Sequence, residues 1–224
     1  MKKINITING TIGVGKTTIM NALAERIRKE TPNIIIQPEP SVTIPFINDV
    51  LKKFYTDNTG WSYPLQLLIS GAQEAYMQQL RESDYDFALM DMAYSSDIYS
   101  YSHQKHGRMN LWEHYNLLNT GRPFKFDFVI WICENAETTK QRIQIRNNTI
   151  ESGQMPKDKK DLSIENMDYI ESHIQDFKEY EEIYLNKFRT MNPNVEIIKI
   201  SNIPDIESKE FKDLIEKIYK QIVG

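Results

Sequence analysis

The chain has 224 residues, 40% of them hydrophobic, and carries 27 Lys and Arg against 31 Asp and Glu for a formal net charge of −4. That length buries one substantial core rather than two, so a single domain over 1–224 is expected, and the charge balance gives no bulk basic field for a nucleic acid or an anionic membrane. No apolar run nears the roughly 20 residues that span a bilayer, and the start MKKINITING has no signal-peptide core, so a cytoplasmic protein is expected.

In chain order the apolar runs predict a strand over Lys3 to Asn9, a helix over Lys16 to Lys29, a strand over Asn33 to Gln37, and helices over Ile44 to Phe54 and Tyr63 to Glu82. A strand over Phe87 to Asp91 follows, then helices over Asp97 to His106 and Asn110 to Asn119, a strand over Phe126 to Cys133 and a helix over Glu137 to Arg146. The last elements are a helix over Ile164 to Asn192, a strand over Glu196 to Ile200 and a helix over Asp205 to Val223. Mostly continuous apolar strands separated by helices require a parallel sheet covered on both faces, so the class is α/β with about five central strands. The stretch 147–163, with Gly153, Pro156 and a charge-rich core, has no apolar face and reads as a mobile loop and lid; a plain solvated connection is the competing reading. Cys133, in the run Phe128-Val129-Ile130-Trp131-Ile132, reads as a buried structural thiol. Tyr180, Tyr184 and Phe188 read as a packing stripe; the four histidines, His103, His106, His114 and His173, make no metal-ligand spacing, and His103 and His106, three apart, read as ordinary surface residues.

Gly10-Thr11-Ile12-Gly13-Val14-Gly15-Lys16-Thr17 fits G-x-x-x-x-G-K-[ST] and lies between a predicted strand and a predicted helix, the context this phosphate-binding P-loop requires. Its glycines let successive N–H groups face one concavity at the positive end of the next helix, where phosphate oxygens bind. Lys16 is expected on the β- and γ-phosphates of ATP and Thr17 on Mg²⁺, with Thr18 completing the cradle. No Asn-Lys-x-Asp guanine-reading sequence occurs, which disfavours a GTPase. Glu39, in Gln37-Pro38-Glu39-Pro40, and Asp91, in Leu89-Met90-Asp91, each follow or end a predicted strand, on the edge where open α/β sheets bind ligands. Glu39 suits a general base or a metal ligand through water, and Asp91 suits Mg²⁺ or acceptor contacts; a solvated loop glutamate is the competing reading of Glu39.

Glu39-Pro40, the segment from Tyr55 to Trp61-Ser62-Tyr63-Pro64-Leu65-Gln66, Asp91-Met92-Ala93-Tyr94-Ser95-Ser96-Asp97 and the run Arg142 to Glu151 follow the P-loop in a familiar order. In order and spacing the chain resembles the deoxyribonucleoside kinase family over about two thirds of its length. The resemblance implies that Glu39 is the base for an acceptor 5′-hydroxyl, that Tyr55 holds the 3′-hydroxyl and that Gln66 meets the base edge. An amide, which presents a donor and an acceptor together, suits that edge; Tyr55, Trp61 and Tyr63 as plain core aromatics are the alternative. Met92 replaces the arginine of the family's Asp/Glu-Arg-Ser motif and brings neither charge nor donor. Asp97 matches a base-facing aspartate, which favours cytosine or a purine over thymine, and Gln73 stands where deoxycytidine kinase has that aspartate's arginine partner. Arg142 and Arg146, four apart, share a helix face and are expected to close on the transferring phosphoryl group. Asn148 replaces a further lid arginine, and Glu151 matches a glutamate that accepts from the 3′-hydroxyl.

The expected protein is therefore an ATP- and Mg²⁺-dependent deoxyribonucleoside kinase of nucleotide salvage. Its expected partners are a small-molecule substrate and a second copy of itself, joined through 110–119 or the helix of Tyr180, with no nucleic acid or membrane. A thymidylate-kinase-like nucleoside monophosphate kinase and a catalytically weak nucleotide-binding relative are its rivals.

Overall fold

The computed structural model describes residues 3–118, 123–151 and 167–224. Five strands, β1 (Ile4–Gly10), β2 (Ile34–Gln37), β3 (Phe87–Asp91), β4 (Phe128–Cys133) and β5 (Glu196–Ser201), form one parallel sheet in the order β2-β3-β1-β4-β5. The helices are α1 (Lys16–Arg28), α2 (Pro40–Thr43), α3 (Pro45–Thr56), α4 (Asn58–Glu82), α5 (Ser95–Lys105), α6 (Leu111–Leu118), α7 (Ala136–Glu151), α8 (Met167–Met191) and α9 (Lys209–Val223). The α/β class and all five predicted strands are present, each within two residues of its predicted ends.

Both sheet faces are covered, as parallel crossovers require. Ile6, Ile8, Leu89, Ile130 and Ile132 pack under Ile19, Leu23 and Ile27 of α1 and Phe211, Ile215 and Ile222 of α9. Ala88, Met90, Val129 and Trp131 face the other way, against Phe177, Tyr184, Leu185 and Phe188 of α8, so the tyrosine and phenylalanine stripe is a core seam. A third apolar cluster joins α3, α4, α7 and α8 beyond the sheet through Phe54, Leu65, Ile143 and Tyr169.

Helix α9 begins at Lys209 rather than Asp205, where the Ser208 side chain caps it by accepting from Phe211 N at 3.1 Å, and other predicted boundaries shift nearer the site. Helix α4 begins at Asn58 rather than Tyr63, because the Asp57 side chain caps it by accepting from Gly60 N at 2.9 Å; Pro64 is carried inside the helix at the loss of one backbone bond. Helix α5 begins at Ser95, just after Met92 and Tyr94 adopt left-handed φ of 54° and 55°. Helix α7 continues to Glu151, so the expected lid loop starts later than 147, and residues 152–163 of it lie outside the described residues. Cys133 is half-buried rather than buried; burial, then the Glu181 carboxylate beside it, pushes its thiol up to about 12.

Candidate active site

The register places the chemistry before any side chain is considered. Ile8 of β1 pairs with Asp91 and Gln37 of β2 pairs with Met90, so the P-loop, Asp91 and Glu39 all leave the sheet at one carboxyl edge on adjacent strands. Buried Thr7 ties the next turn down: its hydroxyl accepts from Ala93 N at 3.1 Å and donates to Asn9 Oδ1 at 3.0 Å.

In the P-loop, Gly13 (φ 73°) and Gly15 (φ 100°) hold left-handed conformations, and Gly15 is the residue from which α1 starts. Buried Lys16 donates from Nζ to Thr11 O at 2.9 Å, so its ammonium lies across the loop. The Thr11 hydroxyl is buried without a protein partner, Val14 is buried beneath the loop, and Thr17 and Thr18 reach solvent at the start of α1. Ile12, partly buried, packs toward the third cluster, and Ile143 of α7 presses on Gly13. An added Cβ at Gly13 would stand 2.5 Å from Ile143 Cγ1. Gly13→Ala is therefore expected to cost about 1–3 kcal/mol of stability and to weaken ATP binding at least roughly tenfold, checked by thermal melting and ATP titration calorimetry.

Asp91 is the most perturbed acid of this edge. Burial pushes its carboxyl up to about 7; the Lys16 ammonium opposes the rise and the Glu39 carboxylate adds to it. Its Oδ2 accepts from Thr17 Oγ1 at 3.4 Å, and its Oδ1 is buried without a partner. Glu39, half-buried at the start of α2, accepts from Ser41 Oγ at 2.7 Å. A Thr hydroxyl, an orphaned carboxylate oxygen and a second nearby carboxylate are the hard oxygen donors that Mg²⁺ takes while keeping waters and substrate phosphates in its shell. Among the described residues no group of three or more His, Cys, Asp or Glu could hold a metal by itself.

The residues expected on the acceptor divide into two groups. Gln66, 2% exposed, lies with its Nε2 3.5 Å from Nε2 of His103, and its Oε1 has no partner. The Tyr55 ring meets Phe54 and Tyr169 at centroid distances of 5.5 and 6.2 Å. Tyr99, which no motif singles out, connects this aromatic group to the carboxylate edge. Burial pushes its phenol well up, and Glu39, Tyr169, Tyr55 and Asp91 all lie close enough to raise it further.

Asp97 belongs elsewhere. It forms an ion pair with Lys187 of α8, whose ammonium stands 4.6 Å over the Tyr94 ring. The two residues line a cavity of about 240 Å³ bounded by α4, α5, α6 and α8, which neither Gln66 nor Tyr55 lines. Burial pushes the Asp97 carboxyl up, with Lys187 opposing. The partner of Gln73 is accordingly not Asp97: its amide donates to Met92 O and to Ser95 Oγ. Met92 fills the place of the motif arginine as a buried side chain, its sulfur accepting from Gly10 N at 3.4 Å.

Arg142 is also engaged away from the position expected of it. Its guanidinium donates to Val14 O and Ile203 O at 3.2 and 2.8 Å and pairs with buried Glu134 at 2.9 Å. Glu134 in turn accepts from the backbone of Asn202 and Ile203, so this pair joins the P-loop to the segment after β5. Arg146 and Glu151 fall on α7, and their side chains lie outside the described residues. His103, read as a surface histidine, is buried, and so is His173.

A family model described as deoxynucleoside kinase matches residues 6–224. Deoxyguanosine kinase of Bacillus subtilis (strain 168) is 25% identical over 214 residues, covering 92% of this chain and 88% of that one. Deoxyadenosine kinase from M. mycoides with bound dCTP superposes at a TM-score of 0.69 and 16% identity over 97% of this chain and 100% of that one. With bound dATP it gives 0.69 and 18% over 99% and 100%. These likenesses run the length of the fold, and nearly the whole sequence, P-loop included, matches the family model: the chain belongs to the deoxynucleoside kinase family.

Proposed function

We propose that this protein transfers the γ-phosphoryl group of ATP to the 5′-hydroxyl of a deoxyribonucleoside, giving the 5′-monophosphate for nucleotide salvage in the cytoplasm. The observation that carries this reading is the convergence on one sheet edge of the P-loop, Glu39 and Asp91, together with a buried Gln66 whose backbone carbonyl accepts from Ser96, beyond β3, and whose side-chain oxygen has no protein partner. Glu39 takes the proton of the 5′-hydroxyl as the new O–P bond forms and the bridging bond to ADP breaks. Lys16 and the loop amides hold the phosphates, and Thr17 with Asp91, aided by Glu39, would hold Mg²⁺, which when bound neutralises charge on the phosphate oxygens. Arg146 supplies a lid cation, while Arg142, tied to Val14, Ile203 and Glu134, serves the donor side by fixing the wall of the P-loop. Tyr55 and Glu151 hold the 3′-hydroxyl and Gln66 the base.

With Asp97 paired to Lys187, support for a deoxycytidine or deoxypurine acceptor comes from the relatives, named for deoxyguanosine and deoxyadenosine, rather than from that aspartate. The active unit is a homodimer in which α6, with Leu111 and Trp112 about 70% exposed, meets its copy. Labelled ATP and Mg²⁺ offered with each of the four deoxyribonucleosides and each of the four monophosphates test the reading. Transfer to a nucleoside is expected; transfer only to monophosphates would assign a nucleoside monophosphate kinase, and ATP binding without transfer an inactive relative.

A further inference from the structure

β4 pairs with β1 so that Ile132 stands opposite Gly10, and Glu134, just past the end of β4, leaves the sheet beside the P-loop. Its side chain is 2% exposed, yet its two oxygens take three donors. Oε1 accepts from Asn202 N at 3.0 Å; Oε2 accepts from Ile203 N at 3.3 Å and from Arg142 Nη1 at 2.9 Å. Asn202 adopts a left-handed φ of 58°, so the chain after β5 bends there and delivers two successive N–H groups to one carboxylate. A buried ion pair contributes little net stability over apolar residues of the same volume, so the use of this one lies in what it positions.

What it positions is the backbone of the P-loop. The nitrogen of Arg142 that meets Glu134 also donates to Val14 O at 3.2 Å, while Nη2 donates to Ile203 O at 2.8 Å. The Val14–Gly15 peptide is trans, so its carbonyl and its N–H point opposite ways. Holding Val14 O on Arg142 therefore turns the Gly15 N–H away from α7. The peptide has little of its own to stop it turning over, because Gly15 stands at φ 100° and glycine takes either sign of φ at small cost. Turned over, it would aim a carbonyl oxygen where an N–H is needed to meet a phosphate.

We infer that Glu134 is a positioning residue for ATP: acting through Arg142, it locks the Val14–Gly15 peptide with its N–H toward the phosphates. This rests on the reading of the P-loop as the ATP site. The carboxylate fixes the guanidinium directly and also fixes the segment whose Ile203 O takes the second guanidinium nitrogen, so Arg142 has one position in place of a free side chain's many. An amide cannot replace the carboxylate. With three donors converging on two oxygens, the amide nitrogen of a glutamine faces one of them, donor against donor. Arg142 then loses its anchor, and the reversed peptide becomes available.

The test takes wild type, Glu134→Gln, Arg142→Met and the double variant through steady-state kinetics, with KM measured separately for ATP and for the best nucleoside acceptor. Calorimetric titration with ATP runs in parallel and gives a dissociation constant where turnover is absent. Glu134→Gln is expected to raise the KM and Kd for ATP about tenfold and to leave the KM for the nucleoside within about twofold of wild type. Arg142→Met is expected to do the same. The double variant is expected to be no worse than Arg142→Met alone, because Glu134 acts through that arginine. An unchanged affinity for ATP in Glu134→Gln, an equal rise in both KM values, or two effects that multiply in the double variant overturns the inference. The double variant leaves no unpaired charge buried, so it gives an answer even where a single variant fails to fold: wild-type affinity for ATP in it overturns the inference as well. A wild type that does not bind ATP overturns the ATP reading of the P-loop, and this inference with it.

Discussion

Glu39→Gln is expected to lower kcat by about 10²–10⁴-fold, the range a positioned general base contributes, while the KM for the nucleoside changes little. The amide keeps the size of the carboxylate and still offers an oxygen to Ser41 Oγ, so the start of α2 is preserved; what is lost is the capacity to take the acceptor's proton. Steady-state kinetics with the best acceptor separate the possible outcomes. A raised KM at unchanged kcat would make Glu39 a binding group, and kcat within about threefold of wild type would remove it from the chemistry. The substitution also removes a negative charge that helps to raise the Asp91 carboxyl, so Asp91 is expected to ionise at lower pH in the variant. That shift is a second readout of the same proximity, independent of turnover.

The sheet and the P-loop were legible because both are encoded locally. Strand runs such as Phe128 to Cys133 and the glycine spacing from Gly10 to Thr17 carry their own physical reasons, and the parallel register then brings Glu39 and Asp91 together without further instruction. The acceptor side was less legible because its decisive contacts are distant or polar. Two left-handed residues, Met92 and Tyr94, set where α5 begins and therefore which way its residues face; no apolar periodicity reports this. The result is that Asp97 meets Lys187, 90 positions away, while Ser95 meets Gln73. Helical spacing pairs Arg142 with its neighbour Arg146, yet its partners Val14 and Ile203 lie 128 and 61 positions away. The burial of His103 is not legible because the buried face of α5 is made mainly of serines, which a hydrophobic pattern scores as surface. A buried polar helix face beside a motif glutamine is the signal that would have found it.

Asp91 sets a pH dependence on the ligand-free protein. Its carboxyl rises from an ordinary 3.8 to about 7 in the folded state. Between about pH 4 and 7 the folded protein therefore binds more protons at this site than the unfolded chain does, and stability falls as pH rises through that window. Below it both states are protonated and the site is neutral in effect; above it the whole cost is present, at most about 4 kcal/mol. Lys16 already offsets part of the burial penalty, and Glu39 adds to it, so this is the net cost of an ionised carboxylate at that position. Asp91→Asn removes the titration. The stability difference between variant and wild type, followed by denaturant unfolding without ATP or metal, is expected to move by about 2–4 kcal/mol in the variant's favour between about pH 5 and 8. Parallel curves for the two proteins would show that Asp91 ionises normally and carries no such cost. Adding Mg²⁺ with ATP to the wild type is expected to flatten its slope, because a cation held by Asp91 and Thr17 favours the ionised form. The same addition should leave the pH slope of Asp91→Asn almost unaffected. A carboxylate found to destabilise the empty fold and to be relieved by a bound cation would be placed for the phosphate edge rather than for the core; on that reading its removal is expected to raise stability while abolishing transfer.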